Sequence, residues 1–292
     1  PGELNARVVE FFQEKNFRFV HHQTVAGPEL KAREVIKQHY RMYSTAACAE
    51  TIVLDPEAQK RFESFFGRRW HDELETGRIV PMPQLLQRPG VDAPRLFRLW
   101  RALYPENKTV KLQAGLIMGF IEELGVYGIN AFYPALEANF HHPDTVMHYH
   151  VVEFDSSQTS WKAFRKELLG TTDSSKALPE SFRGMLYKEC PVAFPERDNY
   201  IHGSAGPLEG FIERTVHEPG FDITANPVGS FLAERGVTLS SFAEWKVQQS
   251  LASLGSLFDE TEEKNTGEIF QWLEKILPNI GNDPGSSASI PG

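Results

Sequence analysis

At 292 residues and 41% hydrophobic, the chain is long enough to bury a substantial core, in one large domain or two. Its formal net charge of −9 argues against a general nucleic-acid-binding surface, which needs a basic face, yet leaves local Arg and Lys groups able to hold a nucleotide. The two cysteines, Cys48 and Cys190, stand in no metal or redox spacing, and no secretory leader is apparent, so a reduced, cytoplasmic setting is expected.

In chain order, Leu4, Val8, Phe11 and Phe12 share one face of a first helix, which Lys15-Asn16 closes. Phe17 to Val20 reads as a strand, and a second helix from about Pro28 to Met42 ends in Gln38-His39-Tyr40. Asp55-Pro56 reads as an N-cap with proline in the first turn, followed by Phe62, Phe65, Phe66 and Trp70 at helical spacing. Pro81 to Pro89 is a proline-punctuated connector, and Arg95–Leu103 and Val110–Leu124 read as two further helices. The stripe Phe97, Trp100, Tyr104 fits a core better than a ligand platform. The most apolar window, Leu112 to Gly128, is interrupted by Glu122 and Glu123 and so reads as a buried or amphipathic helix, with no membrane span.

Four histidines fall between His141 and His150. His148 and His150 would point the same way on a strand, but no further ligands at recognisable spacing accompany them, so Val146 to Phe154 is read as a core strand. A helix over Ser160–Leu169 follows. After Glu218-Pro219 come short helices near Pro227–Arg235, Ser240–Phe258 and Thr266–Leu277. The last carries Ile269, Phe270, Leu273, Ile276 and Leu277 and is expected to dock on its own domain; a flexible tail begins at Gly281.

The densest chemical signal is Asn199-Tyr200-Ile201-His202-Gly203-Ser204, with Glu213 eleven residues beyond the histidine. An imidazole beside glycine and serine, just ahead of a helix, lies near free backbone N–H groups and a positive helix end, where phosphates collect. Upstream stand Leu168-Leu169-Gly170-Thr171-Thr172-Asp173 and Leu178-Pro179-Glu180-Ser181-Phe182-Arg183-Gly184. In this order the three motifs resemble the active-site half of nucleoside diphosphate kinases. The resemblance implies that His202 carries the phosphoryl group and Glu213 holds its ring. It also implies that Arg183 and Thr172 bind nucleotide phosphates and that Asn199 lies in the site with the sugar. The N-terminal helix, strand and helix ending in His-Tyr look like the first half of the same fold, with Tyr40 the candidate to line the nucleotide site.

The pattern has departures. The sequence starts at Pro1, where the family's proline stands, so the family's first strand and its phosphate-binding lysine have no counterpart; a longer product, or another segment filling the gap, is expected. The family's second phosphate-binding arginine aligns with Lys166, beside Arg165, and a lysine lacks the planar guanidinium fork. Ala205 replaces the aspartate that usually follows His-Gly-Ser, and the segment between Arg183 and Asn199 is longer than in the family. That segment normally packs at subunit contacts, so the family's oligomeric state does not carry over, and a homo-oligomer of any size stays open.

The resulting expectation is an α+β fold with a ferredoxin-like antiparallel sheet core over 1–44 and 143–220, a helical insertion at 45–142, a helical C-terminal extension at 221–280 and a flexible tail at 281–292. The expected chemistry is ping-pong phosphoryl transfer between nucleoside triphosphates and diphosphates through a phosphohistidine, with Mg²⁺ carried in by the nucleotide and no protein metal ligands. Two alternatives stand beside it. One is a nucleotide-binding or protein-interaction module on the same fold; the other is a phosphotransferase or nucleotide-cleaving enzyme with a different acceptor.

Overall fold

The computed structural model describes residues 2–242 and 260–280, which mix helices with two small antiparallel sheets. It divides into two compact units: 2–23, 148–242 and 260–280 form one, and 24–147 form the other. The division falls at 23/24 and 147/148, whereas the expected insertion was bounded at 45 and 142.

The first unit opens with α1 (Gly2–Glu14). Phe12 is buried and Leu4, Val8 and Phe11 lie against the same cluster, as the spacing predicts. Asn16, at φ 63°, ends the helix in the left-handed conformation that asparagine tolerates. The chain then enters β1 (Arg18–Ala26), which leads into the second unit.

There the expected single helix over Pro28–Met42 is broken into α2 (Gly27–Ala32), α3 (Val35–His39) and α4 (Arg41–Ala47). Glu34, at φ 50°, turns the chain out of the helical path between the first two pieces. The N-cap at Asp55 is found: its Oδ1 accepts the Ala58 N–H at 2.8 Å, Pro56 opens α5 (Pro56–Phe66), and Phe62 is fully buried. Short helices α6 (Trp70–Glu75) and α7 (Met82–Leu86) lead to α8 (Ala93–Arg101). On α8, Phe97 and Trp100 are core residues, and the Trp100 indole N–H donates to the Tyr104 hydroxyl at 2.9 Å.

The helix expected over Val110–Leu124 is instead a hairpin. β2 (Thr109–Gln113) pairs with β3 (Leu116–Ile121), and β3 pairs with β4 (Val126–Ile129), both antiparallel, with Val110 opposite Met118 and Phe120 opposite Tyr127. Gly115 makes the turn at φ +69°, and a Cβ there would lie 2.5 Å from the Met42 carbonyl oxygen, so the position admits only glycine. A short apolar run such as Leu116–Ile121 cannot be assigned to helix or strand by periodicity; pairing decides it. The 45–142 segment is therefore not purely helical. Helix α9 (Tyr133–His141) returns the chain to the first unit through β5 (Val146–Glu153); a strand is found where one was expected, but none of its residues is buried and it pairs with β1 alone among the described residues, so it is not the core strand expected.

Back in the first unit, β1 and β5 form a two-stranded sheet. Ring contacts between Phe17 and Phe154, Phe19 and His150, and His22 and His148 run in opposite sequence directions along it. The Ser160 hydroxyl caps α10 (Trp161–Ala163), which continues as a π turn over Phe164–Leu169. Then come α11 (Phe182–Glu189), α12 (Pro207–His217), α13 (Pro227–Ala233) and α14 (Thr266–Ile280).

Two cores hold this unit. Phe12, Phe17, Phe164, Leu169, Phe182 and Leu186 form one, with Tyr200 and Ile201 of the histidine loop packed against it. Leu208, Phe211, Val228, Leu232, Ile269 and Leu273 belong to the other, so α14 docks on α12 and α13 as its apolar face predicts. Each fully buried apolar side chain of this size contributes about 1.5–3 kcal/mol. Most of the expected helix over Ser240–Phe258 and the whole tail from Gly281 lie outside the described residues. Among the described residues no helix is long and apolar enough to cross a membrane.

Candidate active site

The site is assembled from three loop–helix junctions of the first unit. Pro207 opens α12 directly after the His202-Gly203-Ser204-Ala205-Gly206 loop, and its fixed φ suits the first helical turn. The histidine loop is thereby held at the N-terminal end of a helix. Below it, Gly203 packs on Leu169 and Phe164, where an added Cβ would lie 2.8 Å from the leucine methyl.

Glu213, two turns into α12, reaches back to the loop. Its Oε1 lies 2.7 Å from His202 Nε2, and its Oε2 accepts a hydrogen bond from the Ser204 hydroxyl. Both carboxylate oxygens are thus engaged, and the carboxylate is largely buried, 13% exposed, against 47% for the imidazole. Desolvation lowers the His202 pKa, but the Glu213 carboxylate, through its charge and hydrogen bond, and then Glu209 outweigh it, so the pKa is raised above the ordinary imidazole value; Arg183 acts in the opposite sense. With Nε2–H donated to Glu213, the neutral ring carries its lone pair on Nδ1.

Arg183, in the first turn of α11, is 6% exposed. Its Nη1 donates to the Gly170 carbonyl at 2.8 Å, and its Nε and Nη2 donate to the Ile201 carbonyl at 3.1 and 2.6 Å. The guanidinium therefore ties the Leu-Gly-Thr-Thr turn to the backbone immediately before His202. A second tie runs parallel: Asn199 Nδ2 donates to the Thr172 carbonyl at 3.0 Å, while the Thr172 side chain is exposed. The structure thus gathers Thr172, Arg183, Asn199, His202 and Glu213 into one loop cluster.

The remaining predicted residues are placed differently. Lys166 Nζ pairs with Glu263 Oε2 at 3.1 Å, and Arg165 pairs with Glu262 and, at 3.5 Å, with Glu263. The segment carrying these glutamates is fixed by the Glu263 N–H donating to the Ala205 carbonyl at 2.9 Å and by Asn265 Oδ1 accepting the Trp161 N–H at 3.0 Å. The expected phosphate-side cations are therefore already partnered by carboxylates. Tyr40 belongs to the second unit, between α3 and α4, with its ring edge-on to His39.

Two neighbouring groups have no single-residue signature in the sequence: Ser204, which is only one member of a common triplet, and Glu209. Glu209 sits one turn before Glu213 on α12, a spacing that places both carboxylates on one helix face and was legible.

The histidines on β5 join a separate cluster. The His150 ring lies parallel to His22 at 4.6 Å, and His148 is stacked on His22 at 6.0 Å. His150 Nε2 lies 2.7 Å from Asn5 Oδ1. Burial is the first cause holding His150 down to about 4, and it also lowers His148. The three rings form a near-parallel stack, and burial disfavours the charged form of His148 and His150.

Comparison of the chain with protein-family models, curated proteins and solved structures finds no match.

Proposed function

We propose that the chain is a nucleoside diphosphate kinase-like phosphotransferase that works through a phosphohistidine on His202. The observation that carries the reading is the Glu213 carboxylate on His202 Nε2 at 2.7 Å, with Ser204 holding the other oxygen. A carboxylate fixed on one ring nitrogen orients the imidazole and directs nucleophilicity to the other.

In the forward half-reaction the Nδ1 lone pair attacks the γ-phosphorus of a nucleoside triphosphate in line. The N–P bond forms as the bond to the β–γ bridging oxygen breaks, and the diphosphate leaves with that electron pair. The ring gains positive charge, which the adjacent Glu213 carboxylate stabilises. A second diphosphate then takes the phosphoryl group by the reverse path. Thr172 and Arg183 would sit on the phosphate side, with Asn199 toward the sugar. In this reading Mg²⁺ arrives bound to the nucleotide phosphates. Bound there, the metal would neutralise phosphate charge. The same reading takes β1 and β5 as strands of a ferredoxin-like sheet and implies an intracellular setting, where nucleoside triphosphates are abundant.

A second reading has one observation in its favour. Arg165 and Lys166 are paired with Glu262 and Glu263, which weakens the charge offered to a polyphosphate and suits a binding or interaction module that has kept the fold. Incubation with γ-phosphate-labelled ATP and Mg²⁺ separates the two. An acid-labile, base-stable label present in wild type and lost in His202→Ala supports the enzyme; nucleotide binding without label supports the module. Transfer of the label to added nucleoside diphosphates, or its failure to transfer, distinguishes the kinase from an enzyme with another acceptor.

A further inference from the structure

The short run at 261–265, which leads into α14, is fastened to the histidine loop and to the start of α10. The Glu263 N–H donates to the Ala205 carbonyl at 2.9 Å, and Asn265 Oδ1 accepts the Trp161 N–H at 3.0 Å. Gly206 approaches the same run closely: a Cβ on it would lie 3.1 Å from the Thr261 carbonyl oxygen, and Thr261 itself is buried. Glu263 adopts φ 62°, a left-handed conformation that glutamate rarely occupies. Backbone strain of this kind persists only where the surrounding contacts impose it.

From that turn Glu263 reaches two cations, Lys166 at 3.1 Å and Arg165 at 3.5 Å, and Glu262 pairs with Arg165 as well. Arg165 and Lys166 stand on the π turn whose Phe164 and Leu169 pack under Gly203, so they belong to the segment that supports the histidine loop. Carboxylate and phosphate oxygens compete for the same guanidinium and ammonium donors. The Lys166 and Glu262 side chains are solvent-exposed, and ion pairs open to water are weak and exchange readily. An internal group that occupies a site lowers the apparent affinity of an external one by the fraction of time the site is vacant.

We propose that residues 261–265 form an autoinhibitory strap: Glu262 and Glu263 occupy Arg165 and Lys166 in place of an incoming polyphosphate, and the phosphate chain of a nucleotide lifts the strap by taking both cations. That this chain belongs to a phosphoryl donor rests on the phosphoryl-transfer reading; the competition for the two cations does not.

Two measurements on the full chain test the strap, with sodium tripolyphosphate as the probe. The first is calorimetric binding to wild type and to Glu262→Gln/Glu263→Gln; the second is hydrogen exchange of the 261–265 amides in wild type, with and without the probe. Glutamine keeps the side-chain volume and the Glu263 backbone N–H and removes only the charges. The double variant should bind the probe about threefold to tenfold more tightly. Glu167→Gln/Glu260→Gln, which removes two exposed carboxylates from the same neighbourhood, should stay within about twofold of wild type. In wild type the probe should speed exchange of the 261–265 amides about threefold or more. Unchanged or weaker binding in Glu262→Gln/Glu263→Gln overturns the inference, as does equal tightening in the control pair. Exchange that the bound probe leaves unaltered also overturns it, and this measurement needs no variant should the substitutions disturb the fold. Absence of tripolyphosphate binding to wild type and double variant alike at millimolar concentration overturns the strap, whatever the labelling of His202 shows. If the probe binds and lifts the strap while γ-phosphate-labelled ATP leaves His202 unlabelled, the phosphoryl-transfer reading falls and the strap stands.

Discussion

Arg183 offers the sharpest separation of scaffold from chemistry. Its buried guanidinium makes three hydrogen bonds to two backbone carbonyls, those of Gly170 and Ile201. Replacement by methionine keeps much of the volume but removes every donor. Each buried carbonyl left without its partner costs about 1–3 kcal/mol, so the two together set a range of about 2–6 kcal/mol. Water reaching the exposed side of the loops offsets part of this, which gives about 3 kcal/mol as the expected loss. For a domain of about 150–250 residues that lowers Tm by about 6–12 °C. The assay is thermal unfolding followed by circular dichroism, with Arg183→Lys as a control. Lysine keeps the charge but lacks the fork that spans both carbonyls, and should fall between wild type and methionine. A Tm for Arg183→Met within about 2 °C of wild type would refute the argument that these bonds hold the site together. If labelling were lost at unchanged Tm, the guanidinium would act only on the phosphate.

Two further outcomes follow from the same geometry. The carboxylates raise the His202 pKa, and only the neutral ring reacts, so labelling should rise with pH through a midpoint above the ordinary value of about 6.5. In Glu213→Gln that midpoint should move down and the plateau rate fall about tenfold to a hundredfold; an unchanged pH–rate profile would remove Glu213 from the mechanism. Gly184→Ala would place a Cβ 2.0 Å from the Leu178 carbonyl oxygen, a backbone atom that cannot yield without moving the turn before α11. A destabilisation of about 1–3 kcal/mol or more is expected by chemical denaturation, and a loss below about 0.5 kcal/mol would show that the turn relaxes freely.

Much of the local structure was written in the sequence. The Asp55-Pro56 cap, the apolar face of α1, the left-handed stop at Asn16 and the docking face of α14 each depend on side chains within one or two turns of the feature they fix. The pairing of His202 with Glu213 was expected only through the resemblance to nucleoside diphosphate kinases; in the structure the glutamate lies two turns into the helix that the histidine loop precedes.

Other features depended on partners distant in sequence. Val110–Leu124 is apolar enough for either a helix or a hairpin; strand pairing and the close approach of Met42 at Gly115 settle it. The Pro28–Met42 segment was helical in composition, but the left-handed residue that divides it, Glu34, has no local signature. Nor could the sequence reveal that Arg183 would face two carbonyls, or that Glu262 and Glu263 would meet Arg165 and Lys166 nearly a hundred residues away. Composition and spacing determine which groups a segment can present and on which face; which other segment receives them depends on how distant parts of the chain close on one another, and only the tertiary structure decides that.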